Sequence, residues 1–195
     1  MRIKSKTLRT IIVKIDSYFR KIYSKIFFYI VWLFYLKWNV RKEDMNDAKY
    51  VWDDMYKSAT LKEYQDKLFK YKWESDALYG LFDMTYEYVW LNFIPSVTKK
   101  FGRDCDDFAE MTYRWMTRVG YSEVVQILYT PEDLRRAHFI VLGKQGNDDN
   151  FIIKSNYSYA IQSDSSDYKE AMKEYIERFE SDKNIAWVVY RKENN

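Results

Sequence analysis

The hydrophobic pattern of this 195-residue chain changes near Gly120, and that change sets its fold class. Before it, apolar residues recur every three or four positions, the period of a helix. After it come short runs rich in β-branched and aromatic residues, the mark of strands. Helical stretches are expected at 7–38, Lys42–Ser58, Leu61–Trp73 and Ser75–Phe93, the last closed by Pro95. Another is expected from Asp104 as N-cap to about Arg118, with Asp107 three residues on as in a capping box and Gly120 as its stop. Strands are expected at Glu123–Tyr129, Ala137–Leu142 and Phe151–Lys154, with turn chemistry at Gly143–Asn150 between the last two. A helix at Ser166–Glu180 and a strand at Ile185–Arg191 complete the chain. Helices first and mostly antiparallel strands second describe an α+β fold.

Charge divides the chain differently. Residues 1–42 carry eleven Lys/Arg and one acid, Asp16, for a local charge of +10; the remainder carries 21 basic and 28 acidic residues, for −7. The reading is therefore an N-terminal helix at 1–42, acting as an anchor, and a domain at 43–195. Within the first part, Ile11, Ile12, Ile15, Phe19, Ile22 and Tyr23 make a basic amphipathic helix, followed by an apolar run from Ile26 to Leu36. Eleven helical residues rise about 16 Å, too little to span a bilayer alone. The expected partner of residues 1–42 is an anionic membrane surface or a larger protein assembly, and the apolar run disfavours nucleic acid. One cysteine excludes an intrachain disulfide, so a disulfide-dependent secreted protein is not expected. A cytoplasmic or membrane-peripheral place in a bacterium, or one in a phage particle, fits better.

The octapeptide G-R-D-C-D-D-F-A at Gly102–Ala109 holds that cysteine, Cys105, at the expected first position of a helix. There the unpaired N–H groups favour a thiolate, while Asp104, Asp106 and Asp107 oppose it by like charge. The only histidine, His138, follows 33 residues later, and Asn156 a further 18 on. Cys, then His, then an amide is the order of a thiol nucleophile, its base and its orienting group. The three aspartates by themselves read as capping and solvation rather than as a cation site. No phosphate-binding, dinucleotide-binding or zinc-peptidase motif is present, and neither a metal nor a cofactor is expected.

The segment G-R-D-C-D-D-F-A-E-M-T-Y-R-W-M-T-R-V-G-Y resembles the nucleophile helix of the transglutaminase-like cysteine peptidase superfamily, in its bacterial and phage branch. The His at the head of A-H-F-I-V-L and a third polar residue on the next strand match too, over about residues 101–157. The resemblance implies a papain- or transglutaminase-like core: a nucleophile at a helix N-terminus packed on a small antiparallel sheet, with several helices before it. It implies that Cys105 is nucleophile, His138 base and acid, and Asn156 the orienting group. Such an enzyme cleaves a peptide or other amide substrate through an acyl-enzyme. The third residue in the family is usually Asp, and Asp148, Asp149 and Asp164 compete with Asn156 for the role. Trp90, Asn92 and the Cys105 backbone N–H are candidate oxyanion donors. The alternative is a catalytically silent structural module of a phage particle or membrane assembly, keeping the fold alone. A third class would work through its N-terminal helix as a membrane-active protein.

Overall fold

The computed structural model of the chain describes residues 2–31, 37–71, 93–94, 103–146, 148–155 and 159–193. The expected helix at Ser75–Phe93 lies outside them, apart from Phe93, and so does the last part of the Ile26–Leu36 run. The fold is mixed α+β, as the pattern predicts. Its helices are α1 (Lys6–Val31), the single turn α2 (Lys37–Asn39), α3 (Lys42–Tyr56), α4 (Leu61–Leu68), α5 (Cys105–Arg118) and α6 (Tyr168–Phe179). Its strands are β1 (Ser122–Thr130), β2 (His138–Lys144), β3 (Phe151–Ser155), β4 (Ile161–Gln162) and β5 (Ala186–Lys192). Two compact units divide the chain: Met1–Tyr18 with Thr112–Asn195, and Phe19–Met111. The division falls inside α1.

The first unit holds a five-stranded antiparallel sheet in the order β4-β3-β2-β1-β5. Strands β1 to β4 form a meander, and β5 joins the free edge of β1. Alternation sends successive side chains to opposite faces. One face carries Val125, Ile127, Ile140, Leu142, Phe151 and Ile153, sealed by Ala171, Met172, Tyr175 and Ile176 of α6. Asp167 caps α6, its carboxylate accepting from the backbone N–H of Lys169 and Glu170. The opposite face buries Leu128, Phe139, Val141, Val188 and Tyr190. Near-continuous burial of β1 on both faces explains why its sequence, E-V-V-Q-I-L-Y, alternates so little.

On that second face Met116 of α5 and Tyr121 approach the sheet at Gly143. A Cβ there would lie 3.1 Å from the Tyr121 ring and 3.2 Å from Met116 Sδ. Gly143, read from sequence as the start of a turn, is thus a strand residue selected by close approach. Gly143→Val should destabilise the fold by about 1–3 kcal/mol, read as a shift in the urea midpoint, because the neighbours are backed by packed core. Helix α5 ends as its sequence says: Gly120 has φ +84°, Tyr121 N–H donates to Met116 O at 3.0 Å, and Gly120 N–H to Thr117 O at 3.3 Å. That is a Schellman cap.

The N-terminal segment belongs to this same unit. Ile3 N–H donates to Glu132 O at 2.9 Å, and the Arg2 backbone forms an isolated antiparallel β-bridge with that of Asp133. Arg9 is fully buried, its guanidinium donating to the carbonyls of Ile3, Lys4 and Asn184. Composition does not reveal these contacts of Arg9, nor the burial of Val13.

The second unit is helical among its described residues. Thr60 caps α4, its hydroxyl accepting from Glu63 N–H at 3.2 Å. Trp52 and Met55 of α3 and Tyr64 and Leu68 of α4 are buried at spacings of three and four. Arg103 lies 5.1 Å from the centre of the Tyr71 ring and 5.9 Å from that of Phe93, a buried cation–π arrangement.

Candidate active site

Cys105 occupies the position its sequence predicts, the first residue of the 14-residue helix α5. Asp104 is its cap: Asp104 Oδ1 accepts from Asp106 N–H at 3.4 Å, and Asp107 Oδ2 accepts from Asp104 N–H at 3.2 Å. This is the reciprocal pattern of a capping box with Asp in the Glu position. The thiol is half-buried.

The aspartates depart from expectation in one respect. Solvation was expected, yet Asp106 is only 1% exposed and Asp107 4%. Two causes hold them inside. Asp107 is spent on the cap, and Asp106 faces Arg20 of α1, Oδ2 to Nη1 at 3.6 Å, an opposite charge that offsets part of the burial cost. Asp104, Cys105 and Asp106 bring one donor atom each within 4.8 Å of one another. Capping accounts for Asp104, as the sequence reading had it.

His138 opens β2 and is half-buried on the sheet face that α6 covers. Its Nε2 lies 2.8 Å from Ser155 Oγ. The register explains the meeting: Ile140 pairs with Ser155, which makes Ser155 the diagonal neighbour of His138 on one face. Tyr129, directly across from His138 on β1, meets the imidazole edge-on with ring centres 5.5 Å apart. The Tyr129 hydroxyl donates to Glu180 Oε1 at 2.5 Å, and burial pushes its pKa well above the ordinary tyrosine value. The imidazole is thus held by a hydroxyl on one strand and a neutral aromatic wall on another.

Of the three residues singled out, His138 is brought together with Ser155. Cys105 belongs to the other compact unit. Asn156, Trp90 and Asn92 lie outside the described residues. The competing acids are otherwise engaged or exposed. Asp164 Oδ2 receives Arg178 Nη2 at 2.7 Å, and Asp148 and Asp149 are exposed on the β2–β3 loop. Ser155 stands directly before Asn156 in the sequence, and no role is expected of it there. The signal for it was alternation, since Phe151 and Ile153 mark the core face of β3 and the same period continues to Ser155.

A second group missed by sequence reading is Lys154, 2% exposed and one residue from Ser155 on the opposite face of β3. Desolvation lowers its pKa from the ordinary 10.5 to about 7. Its ammonium donates to Ser155 O at 3.4 Å.

No protein-family model, no curated protein and no solved structure matches the chain.

Proposed function

We propose that the chain is a thiol hydrolase that cleaves amide bonds through an acyl-enzyme, with Cys105 as nucleophile and His138 as base. The observation that carries this reading is the 2.8 Å contact between His138 Nε2 and Ser155 Oγ, which fixes the imidazole as a catalytic base requires. The imidazole takes the thiol proton. The thiolate adds to the amide carbon, and the imidazolium returns its proton to the departing amine. Water, deprotonated by the same imidazole, then releases the acid and regenerates the thiol. Asn156 remains the orienting group that the resemblance implies, and Ser155 joins it as a second group on the imidazole. The half-buried thiol at the start of α5 supports the assignment, because helix N-terminal N–H groups favour negative sulfur. The apposition of Cys105 and His138 is part of the proposal.

Alkylation tests it without knowledge of the substrate. Near neutral pH, iodoacetamide should modify Cys105 in the folded protein on the order of tenfold faster than glutathione. His138→Ala should bring that rate down to the glutathione value, and Ser155→Ala should bring it partway. Dibromoacetone, a short bifunctional alkylator, should join the Cys105 peptide to the His138 peptide. A folded-state rate no faster than glutathione, indifferent to His138→Ala, together with no crosslink, would reject the enzyme in favour of the silent structural module. Severe loss of amidase turnover in Ser155→Ala but none in Cys105→Ala would make serine the nucleophile instead.

A further inference from the structure

One face of α1 is apolar and uncovered. Leu8, Ile11, Ile15, Phe19, Ile22 and Ile26 recur at spacings of three, four, four, three and four, and each is 40–55% exposed. At 1.5 Å per residue this stripe runs about 27 Å along the helix. Scattered exposed leucines and isoleucines need no explanation, but a continuous stripe of them does. The helix is amphipathic in an unusual sense, since its other side is the one tied down through buried Arg9 and Val13.

We propose that this face is a docking surface for an anionic lipid bilayer, on which α1 lies flat. Three observations select that occupant. Exposed Lys14 and Lys21, seven residues apart, border the stripe on one side, the arrangement of a helix whose apolar face enters the acyl region while its ammonium groups meet headgroups. The only acid in residues 1–42, Asp16, is half-buried and off the stripe, so the helix itself sets no negative side chain against a negative surface. The +10 charge of residues 1–42 argues against a second copy, because pairing the two stripes would bring like charges together. Among the described residues no helix is long and apolar enough to cross a membrane, so the helix binds in plane. The inference is independent of the chemistry at Cys105.

Flotation of the full chain with vesicles gives the test. Vesicles of equal parts phosphatidylcholine and phosphatidylserine should carry the protein, and pure phosphatidylcholine should carry at least about tenfold less. Raising salt should weaken the binding. Ile15→Glu and Phe19→Glu, both on exposed positions, should each reduce binding to the anionic vesicles at least about tenfold while leaving the thermal melt unchanged. Lys14→Glu with Lys21→Glu should reduce binding to anionic vesicles and leave the weak binding to phosphatidylcholine as it was. No flotation of the full chain with anionic vesicles would overturn the proposal, as would flotation unaffected by Ile15→Glu. A dimer in solution that Ile15→Glu dissociates would assign the face to a second copy instead.

Discussion

Arg9→Met should cost the sheet-bearing unit about 3 kcal/mol or more, a loss large enough to threaten folding of a marginal domain. The methionine keeps the apolar stem but removes the donors that serve the carbonyls of Ile3, Lys4 and Asn184. Each buried carbonyl left without a partner costs on the order of 1–3 kcal/mol. Arg9→Lys should rescue little, because an ammonium cannot reproduce the planar fork that reaches carbonyls from two distant parts of the chain. The matched control is Lys14→Met, on the same helix and exposed, which should stay within about 0.5 kcal/mol. Urea midpoints of the three variants decide the matter. If Arg9→Met and Lys14→Met fell together, the guanidinium would not be holding the N-terminal segment to the unit that contains Asn184.

The same residue shows where sequence reading stops. Lys and Arg weigh equally in a local charge, so Arg9 counted toward an anchor at residues 1–42. Its actual partner, Asn184, lies 175 positions away, and no local pattern announces such a contact. Helix α5 is the opposite case. A cap at Asp104, a reciprocating carboxylate at Asp107 and a left-handed glycine at Gly120 are local chemistry, and they put its ends at the predicted residues. The strands stand between these cases. Composition located β1, β2, β3 and β5 to within about two residues, while the two-residue β4 gave no signal and the placing of β5 beside β1 depends on tertiary pairing. For the candidate site the sequence supplied the residue types and the helix start. It did not supply the hydroxyl on His138, because that contact follows from the register of β3 against β2, which no local pattern announces.

Lys154→Met should stabilise the fold, and the gain should depend on pH in a definite direction. Lys154 is 2% exposed, and desolvation takes its pKa from 10.5 down to about 7. In the unfolded chain it binds a proton up to its ordinary value, whereas in the folded state it releases that proton near neutrality. Between about 7 and 10.5 the unfolded state therefore holds more protons, and the stability of the natural chain should rise with pH through that window. Below it both states are charged and the full desolvation cost is present. Met is close in length and carries no charge, so its advantage should be greatest on the acid side, on the order of a few kcal/mol at 1.36 kcal/mol per pKa unit. It should shrink as pH rises. Urea midpoints of both proteins at about pH 6 and about pH 9 test the sign, with convergence expected at the higher value. Parallel profiles would mean that the ammonium reaches water and that its carbonyl contact with Ser155 is incidental. Convergence would establish a neutral lysine amine beside the strand residue that holds His138, with its proton leaving in the range where a histidine base works.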